Sequence, residues 1–198
     1  SSILNSLNNH PPAEEAKRIL HTMGVILDPS LFDEVQVYLD LSLFPGIIAT
    51  VMHDNSGDED IVLSGVQILS TIAQKGSSNL LVKGDAIECL CSLLYTYQLN
   101  SLVVGHSVYI LYLLSHNEET INRLIGAGAP KPLEYTVNST HDLNIRSYAL
   151  NTLQCLGANM DVPLVCPETN LEESIIQSIL HSLEEAGSRE AVQKTLTV

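Results

Sequence analysis

The stretch Leu124–Leu156, LIGAGAPKPLEYTVNSTHDLNIRSYALNTLQCL, decides how this chain folds. Its second half has two earlier copies. Val66, Val108 and Leu150 are spaced 42 residues apart, and so are Leu69, Leu111 and Leu153, and Ile72, Leu114 and Leu156. A small residue, Gly65, Ser107 or Ala149, precedes the first member of each copy. A register kept in four columns over three copies marks a repeat array. Within each copy the apolar residues recur three apart, the spacing of one helix face and not of a strand.

Working outward, the same logic places a medium helix before each long one. Ala86 and Ala129 are 43 apart, as are Leu90 and Leu133. Expected long helices run from Ile61 to Gln74, Ser101 to Ser115 and Asp142 to Gly157. Expected medium ones cover Ile47 to Met52, Ala86 to Tyr97 and the stretch opened by Ala129-Pro130. Short turns at Asn79 to Lys83 and Thr120 to Ile125 each lead into a Gly-containing bend. Pro12 and the acidic residues behind it suit a helix start carrying Ile19, Leu20 and Met23 on one side. Further helices are expected over Leu31 to Leu41 and Leu171 to Ala186, after a Pro-containing loop from Asp161 to Asn170, with another start at Ser188. Such a unit cannot bury its apolar faces alone, so neighbours must stack and share one core.

Composition limits function. The net charge is −14, and Ile19 to Gln74 holds eight acidic residues with no Lys or Arg. That field disfavours nucleic acid and anionic lipid and favours basic partners. It also keeps an apolar-rich chain soluble. No run of about 18 apolar residues suggests a membrane span. Cys89, Cys91, Cys155 and Cys166 have no metal-ligand spacing and read as reduced, mostly buried thiols of a cytoplasmic protein. No two of the seven histidines lie four apart, and no P-loop, GxSxG or HExxH occurs, so neither metal, cofactor nor catalytic residue is expected. The chain opens Ser-Ser without Met and closes inside an expected helix, so it reads as a piece of a longer protein.

With the core columns facing inward, an adjacent stripe follows from helical geometry. It reads Gln67, Ser70, Thr71, Gln74 in the first copy and Tyr109, Tyr112, Leu113, His116 in the second. In the third it reads Asn151, Gln154, Cys155, Ala158. Amide and hydroxyl groups at both ends suit hydrogen bonds to a peptide backbone. Tyr109 and Tyr112 would be the aromatic anchor at the centre, with Asp58, Glu59 and Asp60 selecting basic flanks. The middle long helix is apolar nearly all round, so it is either enclosed by neighbours or exposes a patch.

Leu124-Ile-Gly-Ala-Gly-Ala-Pro-Lys-Pro-Leu133 resembles the armadillo pattern, in which a short helix ends at Ala-Gly before a Pro-containing second helix. Leu81-Val-Lys-Gly-Asp-Ala-Ile-Glu-Cys-Leu90 is a weaker copy, and Tyr148-Ala-Leu-Asn-Thr-Leu-Gln-Cys-Leu156 is similar to the third-helix pattern. The similarity extends over about residues 45–157. It implies an all-α, right-handed α-solenoid of armadillo-like three-helix repeats. A flexible lead-in of residues 1–12 would precede one domain, 13–198, with a degenerate first repeat (13–56), the best-matching repeats (57–157) and a degenerate last one (158–198).

The resemblance further implies a concave groove lined by third helices, a protein or peptide partner, and no catalysis. The import-receptor branch places Trp there with Asn four residues on; the matching pairs are Gln67/Thr71, Tyr109/Leu113 and Asn151/Cys155, and the chain has no Trp. The β-catenin-like branch lines the groove with Lys and Arg, whereas these long helices carry only Arg146. The partner expected is therefore a basic or apolar segment. The alternatives are a self-associating scaffold, homo-oligomeric, in a cytoskeletal or centrosomal-type assembly, and a chaperone cofactor.

Overall fold

A computed structural model describes residues 12–27, 41–75, 78–82 and 84–157. The expectations for residues 1–11, 31–40 and 158–198, including Ala158, Cys166 and the last repeat, lie outside these. Every described element is a helix: α1 (Ala13–Ile26), a 3-10 turn (Leu41–Leu43), α2 (Phe44–Asp54), α3 (Glu59–Gln74), α4 (Ser78–Leu81) and α5 (Ala86–Thr96). There follow α6 (Ser101–Ser115), α7 (Glu118–Gly126), α8 (Pro130–Ser139) and α9 (Leu143–Cys155). The expected helices in these regions are present, with ends moved by a few residues.

Two rows of helices share the core. The long helices α1, α3, α6 and α9 pack each on the next, and so do the medium helices α2, α5 and α8. Each of α3, α6 and α9 also packs on the medium helix just before it. The repeated columns lie in the core. Val66, Leu69, Ile72, Val108, Leu111, Leu114, Leu150 and Leu153 are all buried; Leu156, at the C-cap of α9, is half-buried. The central helix α6 touches α3, α5, α7 and α9, which explains why it tolerates apolar residues on nearly every side.

The long helices begin at one register because their caps repeat. Asp58, Asn100 and Asp142 are 42 residues apart, and each side chain accepts from amides of the first turn. Asn100 takes Leu102 N–H at 3.1 Å and Val103 N–H at 3.0 Å; Asp142 takes Asn144 N–H at 2.8 Å and Ile145 N–H at 3.1 Å. These satisfy amides that a helix start leaves without an internal acceptor. The first two caps also reach the preceding long helix. Lys17 Nζ lies 2.9 Å from Asp58 Oδ2, and the Asn100 amide donates to Glu59. Both pairs are 41 residues apart, so α1–α3 and α3–α6 meet in the same register.

The connections need glycine. Gly84 and Gly128, just before α5 and α8, have φ of 85° and 77°, in the left-handed region that a side chain disfavours. Arg123 of α7 clasps the first bend, pairing with Glu88 and donating to the Gly84 carbonyl at 3.2 Å.

The small-residue column has a steric cause. A Cβ at Gly65 would lie 2.6 Å from both Cγ and Sδ of Met52 and 3.3 Å from Ile48 Cγ2, side chains that are themselves fully buried. Side chains of α2 thus pack directly against the α3 backbone there. Gly65→Val is therefore expected to destabilise by about 1–3 kcal/mol through overpacking. Leu111→Ala, which opens a void in the middle of the core, is expected to cost about 2–5 kcal/mol. Urea unfolding midpoints of the two variants check both.

Candidate functional site

The stripe beside the core columns lies along the long-helix row. On α3, Gln67 and Gln74 are exposed, and Thr71 is half-buried, its hydroxyl donating to the Gln67 carbonyl at 3.2 Å. On α6, Tyr109, Tyr112 and Leu113 are half-buried and His116 is exposed. The His116 ring stands edge-on to Tyr112 at 4.4 Å, with Nδ1 2.8 Å from the Tyr112 carbonyl oxygen. On α9 the stripe turns inward: Asn151 is only 6% exposed and Gln154 is half-buried, and both have interactions of their own. Ser70 is buried and Cys155 exposed. The stripe is thus open on α3, aromatic on α6 and largely covered on α9.

Tyr148 decides the aromatic part. It comes from α9, is 4% exposed, and sets its ring 5.2 Å from Tyr109 and 4.9 Å from Tyr112. Edge-to-face and tilted rings at these separations attract through their quadrupoles. Tyr109 and Tyr112 therefore hold the α6–α9 seam together as well as facing the stripe. Sequence reasoning passed over Tyr148, although it stands one residue before the small-residue column. Its counterparts one and two copies earlier are His106 and Ser64.

His106 Nδ1 and Ser107 Oγ on α6 and Ser70 Oγ on α3 are buried without a hydrogen-bond partner. Burial without a partner holds the His106 pKa below its usual 6.5, since the charged form loses its hydration. At the α1–α3 seam a cleft of about 520 Å³ opens instead, lined by residues that include Leu20, Gly24, Val25, Ser64, Gln67 and Thr71. Two stripe residues, Gln67 and Thr71, thus belong to its wall.

The remaining reactive groups are quiet. Burial pushes the Cys89 thiol up to about 11 and the Cys91 thiol to about 12, with Glu88 adding to the second, so neither is a thiolate near neutral pH. Cys155 is exposed, so the expectation of mostly buried thiols holds for Cys91 and only partly for Cys89. Among the described residues, no three His, Cys, Asp or Glu side chains cluster to hold a metal ion. None of the described helices is long and apolar enough to cross a membrane. Asp58 and Asp60 are engaged with Lys17, and the hydrogen bond from Lys17 holds the Asp58 carboxyl below the usual range.

No family model matches this chain, and no curated protein matches it either.

The lowered His106 pKa fixes the sign of a pH effect. The unfolded chain binds a proton at His106 before the folded one does, so this residue costs nothing above about pH 6.5. Stability then falls as the pH drops through the folded value. Unfolding midpoints measured between about pH 7.5 and 5 are expected to decline, and His106→Gln to flatten part of that decline.

Proposed function

We propose that this chain is an armadillo-like α-solenoid acting as a non-catalytic protein-interaction module. It holds a basic or apolar partner segment along the stripe of its long helices. One observation carries the reading: stacked helices in a single register leave Gln67, Thr71 and Gln74, then Tyr109, Tyr112, Leu113 and His116, open or half-open along one row. Amide and hydroxyl groups at one end supply hydrogen bonds to an extended backbone. The half-exposed tyrosines beside them are preorganised by Tyr148, which lowers the entropy a partner must overcome. Tyr is a frequent hot-spot residue for this reason. The negative charge of the chain attracts basic segments and raises their encounter rate.

A second reading is favoured by apolar side chains left in solvent. Leu99 is 98% exposed and Leu143 78%, both near the starts of long helices. A scaffold that self-associates through such residues would bury them. Mass measured over a concentration series separates the two readings, since only self-association raises it.

The groove reading is tested by affinity capture comparing the wild type with the Tyr109→Glu, Leu113→Glu double variant. The variant is first checked for unchanged helicity by circular dichroism. A segment retained by the wild type and lost by the variant is the expected result. Equal retention by both proteins would remove the stripe from consideration.

A further inference from the structure

We propose that the cleft between α1 and α3 accepts an aromatic side chain of the bound segment, one flanked by Lys or Arg. The flanking chemistry rests on the interaction-module reading above; the aromatic seat stands on the repeat register alone.

The three long-helix seams are versions of one another. Lys17–Asp58 and Glu59–Asn100 link successive helices at the same separation. Tyr109 and Tyr148 face each other across α6–α9, 39 residues apart, and Val25 and Ser64, also 39 apart, line the α1–α3 cleft together. Ser64 and Tyr148 therefore occupy one seat in the first and last seams, and His106 is their counterpart in the repeat register. In the last seam a tyrosine ring fills the seat. The residue at that register position in the middle copy is His106, whose buried Nδ1 has no hydrogen-bond partner. In the first, a serine leaves it empty.

A second column widens the same space. Gly24 stands where the later copies place Val66, Val108 and Leu150. A Cβ built on Gly24 meets nothing within 4 Å, so this wall of the cleft is open. Small residues at both Gly24 and Ser64 leave this cleft open between α1 and α3. Its volume, about 520 Å³, lies in the range of sites that enclose small ligands. The floor is apolar, with Leu20, Leu27 and Ile68 all buried, and the rim is polar, with Gln67 exposed and Ser64 and Thr71 half-buried. An apolar floor with hydroxyl and amide groups at the lip suits a ring with a polar tip, the amphipathic form of tyrosine. Basic flanks suit the chain's net charge of −14, and no Lys or Arg lies in the wall of the cleft to oppose them.

The test uses two probes on the whole chain. One is p-cresol, the tyrosine side chain as a free molecule, followed by ligand-observed NMR. The other is a pentapeptide with one Tyr between two pairs of Lys, followed by calorimetry. The wild type is expected to bind both, in competition. Ser64→Tyr installs in the seat the residue the chain already uses at 148. It is expected to keep the fold and weaken both probes about ten-fold or more. Gly24→Leu, which fills the cleft from its open wall, is expected to do the same and covers the case in which Ser64→Tyr does not fold.

Absence of saturable p-cresol binding, or binding unchanged in both filled variants, overturns the proposal whatever the peptide does. Equal affinity for a Leu-centred peptide also overturns it, as does wild-type self-association that Ser64→Tyr abolishes, since a second copy would then be the occupant. Peptide binding lost in Tyr109→Glu, Leu113→Glu but kept in Ser64→Tyr overturns the cleft and leaves the stripe. The reverse pattern supports the cleft and removes the stripe.

Discussion

Everything in this structure depends on how closely the two helix rows approach each other. At Gly65 the contact is so tight that one added methyl would overlap Met52. Ser107 and Ala149, at the same register, are fully buried as well. A larger residue in this column would push the long helix off the medium one. The apolar columns at Val66, Leu69 and Ile72 and their later counterparts would then lose their partners. Hydrophobic burial supplies the driving force, but it can act only at a separation the small column permits.

With that spacing set, neighbouring units meet along the long helices, and here the seams diverge. The caps Asp58, Asn100 and Asp142 keep every helix start in register, so side chains at equivalent positions face equivalent partners. What varies is how well those positions are filled. Three tyrosines close the α6–α9 seam, whereas a cleft remains at α1–α3. A repeat array can change its surface in this way without changing its core, because each seam is packed largely independently.

Charge acts on a longer scale. Several acidic groups are committed to structure: Asp58 and Asp142 cap helices, and Glu88 pairs with Arg123. Asp60 is shared with Lys17 but stays mostly in solvent. The chain as a whole remains strongly negative, with a formal charge of −14. The field reaching a partner therefore comes from the whole chain more than from any single pair, and salt screens it beyond about 8 Å.

The helical class, the long helices and their buried columns were legible in the residues alone, because helix period and repeat period are both one-dimensional patterns. Val66, Leu111 and Leu153 are buried where their spacing places them. The caps carried the same 42-residue signal and were open to the same reading. The division of the stripe was not legible. Asn151 and Gln67 occupy one column, yet one is buried and the other exposed, because burial depends on what lies across the seam. Tyr148 closes on Tyr109 and Tyr112 from another helix, and Gly24 and Ser64 make a cleft only because they face one another across α1 and α3. Periodicity specifies which face of a helix turns inward; the side chains that meet there come from helices some 40 residues apart, and only packing brings them together.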